Sequence, residues 1–262
     1  MSSLPSSSAT PIQFPEPPAN AEALAAVSLL QWRAVLAGEP RAAAQWMQAA
    51  AQLGHAEAQA VLGQWLLDGR GVARDAAQAL YWFLHAAQQG HAMGMNMAGR
   101  CHEQGWGTAV DLDKAAHWYR RAVATGLAEA RYNLANLLAA GHGVPQDHAE
   151  AFALYRTAAE QGYAKASTKL ARYYEDGLVV AADPALAFEL CRRGAEGGDF
   201  RGQFNYAGLL AARGRRDEAL HWLRLVPETA TPRYLREAGA ALLQSPDADI
   251  RAIGQRMLDK AD

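Results

Sequence analysis

Apolar side chains recur at steps of three and four along most of this chain. Leu62 and Leu66 share one such stretch, Leu134 and Leu138 another. That spacing sets them on one face of a helix and predicts a buried stripe. Two kinds of stretch alternate. The first kind covers 56–67, 92–103, 128–139, 164–175 and 200–211. The second covers 76–88, 112–124, 148–160, 184–195 and 216–225. The alternation has a fixed period. Gly54, Gly90, Gly126, Gly162 and Gly198 are each thirty-six residues apart, as are Asp75, Asp111, Asp147 and Asp183. Gly69, Gly105, Gly141 and Gly177 keep the same step, and so do Ala79, Ala115, Ala151 and Ala187. Trp46, Trp82 and Trp118 form a further column that continues in Leu154 and Leu190. A constant period of this length marks stacked structural units.

The segment between the two kinds of helix reads as punctuation. In "DGRGVARD", Gly69 and Gly71 follow a first helix, where the chain needs left-handed or tightly bent backbone. Asp75 is placed to cap the second helix, and Gln78 to complete a capping box; Asp147 with Glu150 repeats that pair. Asp183 precedes Pro184, a favourable first helical residue. A phosphate-binding loop is excluded: it would follow a strand and carry Lys-Ser or Lys-Thr, where this chain has Ala73-Arg74 after a helix. Alanines such as Ala79 and Ala86 allow close helix approach, while Trp82 and Phe83 fill the space between.

These residues resemble the Sel-1-like repeat, a relative of the tetratricopeptide repeat. The matching text is "AVLGQWLLDGRGVARDAAQALYWFLHAAQQG", "NMAGRCHEQGWGTAVDLDKAAHWYRRAVATG", "YNLANLLAAGHGVPQDHAEAFALYRTAAEQG" and "TKLARYYEDGLVVAADPALAFELCRRGAEGG". The last copy has Val179 where the others have a second glycine. The resulting organisation is a Pro/Ser-rich disordered tail at 1–19, a degenerate helix pair at 20–54 and four repeats at 55–198. A tetratricopeptide-like unit at 199–228 and capping helices at 229–262 complete it. Within the degenerate pair, one helix is expected over 20–37, and Glu39-Pro40 opens its partner. Atypical end units fit the need to shield a stacked core from water. The resemblance implies an all-α, right-handed superhelix of stacked helix pairs, a solenoid, with first helices lining a concave groove. It also implies a non-enzymatic adaptor, scaffold or regulator that binds a protein or peptide.

By analogy with tetratricopeptide repeats, the groove would be lined by Gln64, Met93, Asn96, Arg100, Tyr132, Asn133, Asn136, Lys165, Lys169, Arg172 and Phe204. Glu57, Thr168 and Arg201 fall on the same expected face. The middle of this set is basic and rich in amides. Several such donors converging on one carboxylate make charge-assisted hydrogen bonds, which suits an acidic segment or a terminal carboxylate.

Bulk properties narrow the classes. The 262 residues carry a net charge of −2, which gives no overall field toward nucleic acid or an anionic membrane. The Arg120-Arg121, Arg192-Arg193 and Arg215-Arg216 pairs read as solvated surface. No run of about 18 apolar residues suggests membrane insertion. The opening "MSSLPSSSATPIQFPEPP" lacks the basic and apolar regions of a secretory signal. Cys101 and Cys191 read as reduced core thiols, which points to the cytoplasm. The runner-up reading is an envelope-associated assembly factor.

No cofactor or metal is expected. Cys101, His102 and Glu103 are adjacent on a helix and diverge by about 100° per residue, so they cannot converge on one ion. His102 shares a column with Leu66, Leu138 and Tyr174, which predicts a packed ring. His142 and His148 flank a turn whose Asp147 already has a capping role. No nucleophile elbow, HExxH or paired-cysteine motif occurs. The remaining enzymatic alternative is an α/α-toroid hydrolase, whose repeats would be less regular.

Overall fold

A computed structural model describes residues 16–262. The expected tail at 1–15 lies outside the described residues, and 16–19 have no regular secondary structure. Among the described residues there are 15 helices and no strand. The fold class is the one the periodicity predicts: all-α, built of stacked neighbouring helix pairs. The chain divides into two compact units, one ending at Trp118 and one beginning at Tyr119.

The first unit holds α1 (Ala21–Ala25), α2 (Leu29–Ala37), α3 (Pro40–Gln52), α4 (Ala56–Asp68), α5 (Ala76–Gln88), α6 (Ala92–Gln104) and the start of α7 (Leu112–Ala124). Consecutive helices from α2 to α6 pack on one another. The single helix expected over 20–37 is instead two. Ser28 accepts a hydrogen bond from the Gln31 N–H at 3.3 Å while Gln31 Oε1 accepts from the Ser28 N–H at 2.7 Å. This reciprocal box starts a new helix at Leu29. Glu39 caps α3 as expected, accepting from the Ala42 N–H at 2.9 Å. The core of the unit joins Trp46, Leu62, Trp65 and Phe83 with the small residues Ala43, Ala50, Ala79 and Ala98. Gly63 makes room for the Phe83 ring: a Cβ there would lie 2.7 Å from Phe83 Cε1.

The turns follow one plan. Gly69 ends α4 with φ 74° and Gly105 ends α6 with φ 74°. The second glycine of each turn meets the backbone of the preceding second helix. A Cβ on Gly71 would sit 2.0 Å from the Pro40 carbonyl oxygen, and one on Gly107 would sit 2.2 Å from that of Ala76. Only a residue without a side chain permits this approach.

The capping aspartates do more than expected in one respect and less in another. Asp75 Oδ1 accepts from the Gln78 N–H at 2.9 Å, and Asp147 Oδ1 from the Glu150 N–H at 2.8 Å. The reciprocal half of the expected box is absent. The Asp75 N–H donates to the Leu66 carbonyl at 2.9 Å and the Asp147 N–H to Leu138 at 3.0 Å. Asp111 bonds to His102 and Asp183 to Tyr174 in the same way. With its N–H tied to the first helix, the cap residue has no donor left for Gln78 or Glu150. Gln78 turns to the Asp75 carboxylate instead, at 3.0 Å.

The second unit holds the rest of α7, then α8 (Ala128–Ala140), α9 (His148–Glu160), α10 (Ala164–Asp176), α11 (Pro184–Glu196) and α12 (Phe200–Ala211). It ends with α13 (Arg216–Thr229), α14 (Pro232–Leu242) and α15 (Ala248–Ala261). Neighbours from α8 to α13 pack in sequence, and α14 packs on α15. The fourth turn, with Val179 in place of glycine, takes another course: no described non-glycine residue has positive φ, and Leu178 and Val179 are exposed. α13 does not stop at 225. It runs through Pro227 to Thr229, because the proline falls in its last turn and disturbs little beyond one hydrogen bond. At the end of the chain α14 and α15 cross at glycine: a Cβ on Gly239 would lie 2.8 Å from the Gly254 oxygen, and one on Gly254 2.9 Å from that of Gly239. Arg216 binds the Asp247 and Asp249 carboxylates and ties α13 to this pair.

Candidate functional site

The first helices carry the expected binding residues, and the structure sorts them by availability. In the first unit, Asn96 is only 1% exposed, so it is corrected from a binding candidate to a core residue. Met93 packs half-buried against the hydrophobic core. Gln64 and Arg100 do come together, in a cleft of about 500 Å³ between α4 and α6. Gln64 Nε2 donates to both Asp68 oxygens, at 3.1 and 3.0 Å. The Arg100 guanidinium lies over the Trp106 ring, 5.1 Å from its centre. Arg74 donates through Nε to the Asp68 carbonyl at 3.2 Å and lines the same cleft. Glu57 pairs with His91 at 2.8 Å.

In the second unit the expected residues divide again. Tyr132 is half-buried and its ring packs on Tyr155 and Tyr163. Asn136 accepts from the Tyr155 hydroxyl at 2.7 Å. Asn133 is half-buried. Tyr132 and Asn136 thus serve packing of the tyrosines as well as any outward face. Lys165 and Arg172 are exposed on α10, with Arg172 paired to Asp176 at 3.3 Å. Arg172 and Phe204 line a cleft of about 480 Å³ between α10 and α12.

Beside that cleft stands a group of positive charges. Lys169 is half-buried, and burial lowers the pKa of its ammonium; the neighbouring charges of Arg201 and then Arg172 lower it further, with Asp199 opposing. Arg201 is itself stacked over Phe200 at 4.6 Å and Tyr234 at 5.3 Å. Phe204 meets the same Tyr234 edge-on at 6.0 Å. Burial pushes the Tyr234 hydroxyl up to about 12, so it stays a neutral donor. Asp199 caps α12 through Oδ2, which accepts from the Gly202 N–H at 3.1 Å, while its buried Oδ1 has no partner. Arg201, on its aromatic wall, and Arg172 thus act on the half-buried Lys169, with the largely buried Asp199 carboxylate opposing them.

Sequence reasoning missed Trp106, Arg74 and Tyr234. Trp106 had a visible signal: a large aromatic ring between Gly105 and Gly107, in a column otherwise held by Arg70, His142 and Leu178. Tyr234 had none, because the terminal helices lie outside the regular period.

Among the described residues no group of three or more His, Cys, Asp or Glu side chains is placed to hold a metal ion. His102 is 8% exposed, as a packed ring should be, and burial lowers its pKa. Burial pushes both the Cys101 and Cys191 thiols up to about 11, far from nucleophilic character. Among the described residues no helix is long and apolar enough to cross a membrane.

The family profile described as "Sel1 repeat" matches residues 33–55, 56–91, 92–126, 128–163 and 164–199. Among solved structures, the chain is similar to a Sel1 repeat protein from Oxalobacter formigenes, with TM-score 0.73 and 24% identity over 88% of this chain and 98% of that one. It is also similar to a protective antigen of uropathogenic Escherichia coli strains displaying an SLR fold, with TM-score 0.64 and 27% identity. That match covers 88% of this chain but 52% of the antigen, so this chain spans about half of its length. An immunity protein from Pseudomonas aeruginosa shares the fold at TM-score 0.54 and 16% identity, over 79% of this chain and 83% of its own. No curated protein sequence matches the chain.

Proposed function

The chain belongs to the Sel1 repeat family, and on that premise we propose that it is a non-enzymatic protein-binding module, an adaptor, scaffold or regulator. The Sel1 repeat solenoid is typically a protein–protein interaction fold, and its family is generally non-catalytic. The partner is a protein or peptide that offers an acidic segment or a terminal carboxylate to the first-helix face of the second unit. One observation carries this reading: Lys169 is half-buried on α10, and Arg201 and Arg172 stand close enough to lower the pKa of its ammonium further. Like charges held together on rigid helices store repulsion that an incoming carboxylate relieves. Arg201, fixed by its aromatic stacking, would lose little freedom on binding. The same proposal puts the chain in the cytoplasm, which two free, buried cysteines support.

The test uses exposed positions, so that folding is not at stake. Lys165→Glu with Arg172→Glu reverses two charges on α10. Affinity capture from the native host should lose its acidic partner with this variant, and capture by the unmodified chain should weaken steeply as salt rises. Retention of every partner by the double variant would refute the assignment to this face.

A further inference from the structure

The cleft of the first unit has a different chemistry from that of the second, and the repeat makes the comparison direct. Arg100 and Arg172 occupy the same column. Arg172 has a carboxylate four residues on, Asp176, at 3.3 Å. Arg100 has Gln104 at that place and is in no ion pair among the described residues. Its Nη1 reaches only the Met97 sulfur, at 3.6 Å, and its plane rests on Trp106. The turn column differs as well, with Trp106 in the first unit and the exposed Leu178 in the second. Arg74 also lacks an ion pair among the described residues, and the carboxylate of the cleft, Asp68, is held by Gln64. Leu66, Met97 and Trp106 supply apolar lining.

We propose that this cleft docks an extended segment of a partner protein in which a large apolar side chain adjoins a carboxylate. The proposal rests on the reading of the chain as a protein-binding module and names the motif for one unit. The volume of about 500 Å³ takes one aromatic or long aliphatic side chain with its backbone. Two guanidinium groups without ionic partners, one stacked on a ring that fixes its plane, present a charge that an adjoining carboxylate complements. Apolar lining with a cationic mouth therefore selects for the pair of groups together.

The experiment follows fluorescence anisotropy of a fluorescein-labelled Gly-Ser-Asp-Phe-Asp-Ser-Gly peptide titrated with the full chain. Versions with Asp-Ser-Asp and Lys-Phe-Lys cores serve as comparisons. The Asp-Phe-Asp peptide should bind at least roughly tenfold tighter than either. Arg100→Gln should weaken it at least roughly tenfold, Arg100→Lys less, and Arg33→Gln, an exposed charge on α2 away from the cleft, not at all. Thermal melting checks that Arg100→Gln folds, and Arg74→Gln replaces it if it does not. The titration is repeated on the Lys165→Glu/Arg172→Glu variant. Binding that persists there belongs to the first unit and stands even if the second-unit reading fails. The proposal is overturned by equal binding of the three peptides, by no saturation below about 1 mM, or by loss in the α10 variant with retention in Arg100→Gln.

Discussion

At Gly107 an added methyl group would sit 2.2 Å from a backbone oxygen that cannot move without its helix, at a φ of 70° that side chains resist. Gly90 has a similar φ of 83° but open space around it. The two positions therefore separate conformational strain from collision. Gly90→Ala should cost about 1–2 kcal/mol, and Gly107→Ala distinctly more, read as denaturant midpoints at equal slope. Equal costs would mean that the turn can back away from α5. Asp147→Ala removes the cap of α9 and should cost about 1 kcal/mol; the backbone tie to Leu138 survives it. His102 gives a pH dependence with a definite sign. Burial, then Lys114, lower its folded pKa below the ordinary 6.5, with Asp111 opposing. The unfolded chain then takes up the proton first as pH falls. The contribution is fully present above 6.5 and is lost as pH drops through the lowered folded value. His102→Leu, which restores the column residue, should flatten the fall in midpoint between about pH 7.5 and about pH 5. The same slope in both proteins would assign the sensitivity elsewhere. Side-chain placement is also where sequence reading reached its limit. Asn96 and Arg100 are four apart on one helix, yet one is sealed and the other only half-buried, because burial depends on the neighbouring helix, which periodicity alone does not position.

At the scale of the element, the sequence was nearly sufficient wherever the period held. The helices from α4 to α12 start where the period predicts and end within a residue of expectation. Their signals are local: an aspartate opens α5, α7, α9 and α11, and a glycine follows each helix from α4 to α11. The departures have local causes too, but ones that compete. Ser28 could have been an ordinary helical residue, and it starts α2 because Gln31 is there to complete the box. α13 was expected to end at 225, and it passes Pro227 because the proline falls in its last turn. The capping box failed for a longer-range reason: the aspartate N–H was already committed to the first helix. The cation cluster on α10 and α12 was half legible, since Lys169 and Arg172 lie at helical spacing. Its aromatic wall was not, because Tyr234 arrives from α14.

At the scale of the molecule, helix pairs that touch only their neighbours should differ in how readily they open. In the second unit, α9 and α10 are covered on both sides by packed helices, whereas the α14–α15 pair meets the rest of the unit mainly through the lighter contact of α15 on α13. Native-state hydrogen exchange should find amides of α14 and α15 opening before those of α9 and α10. Uniform protection would indicate a single cooperative block. The contact of Gly107 on Ala76 repeats that of Gly71 on Pro40, so in the first unit the turns of two successive hairpins seat in the same way on the start of the preceding second helix. A gene for such a chain can gain or shed a hairpin in one in-frame event, and the new junction brings together surfaces already fitted to each other. Reach along a guest then becomes a heritable quantity, adjustable in increments of thirty-six residues.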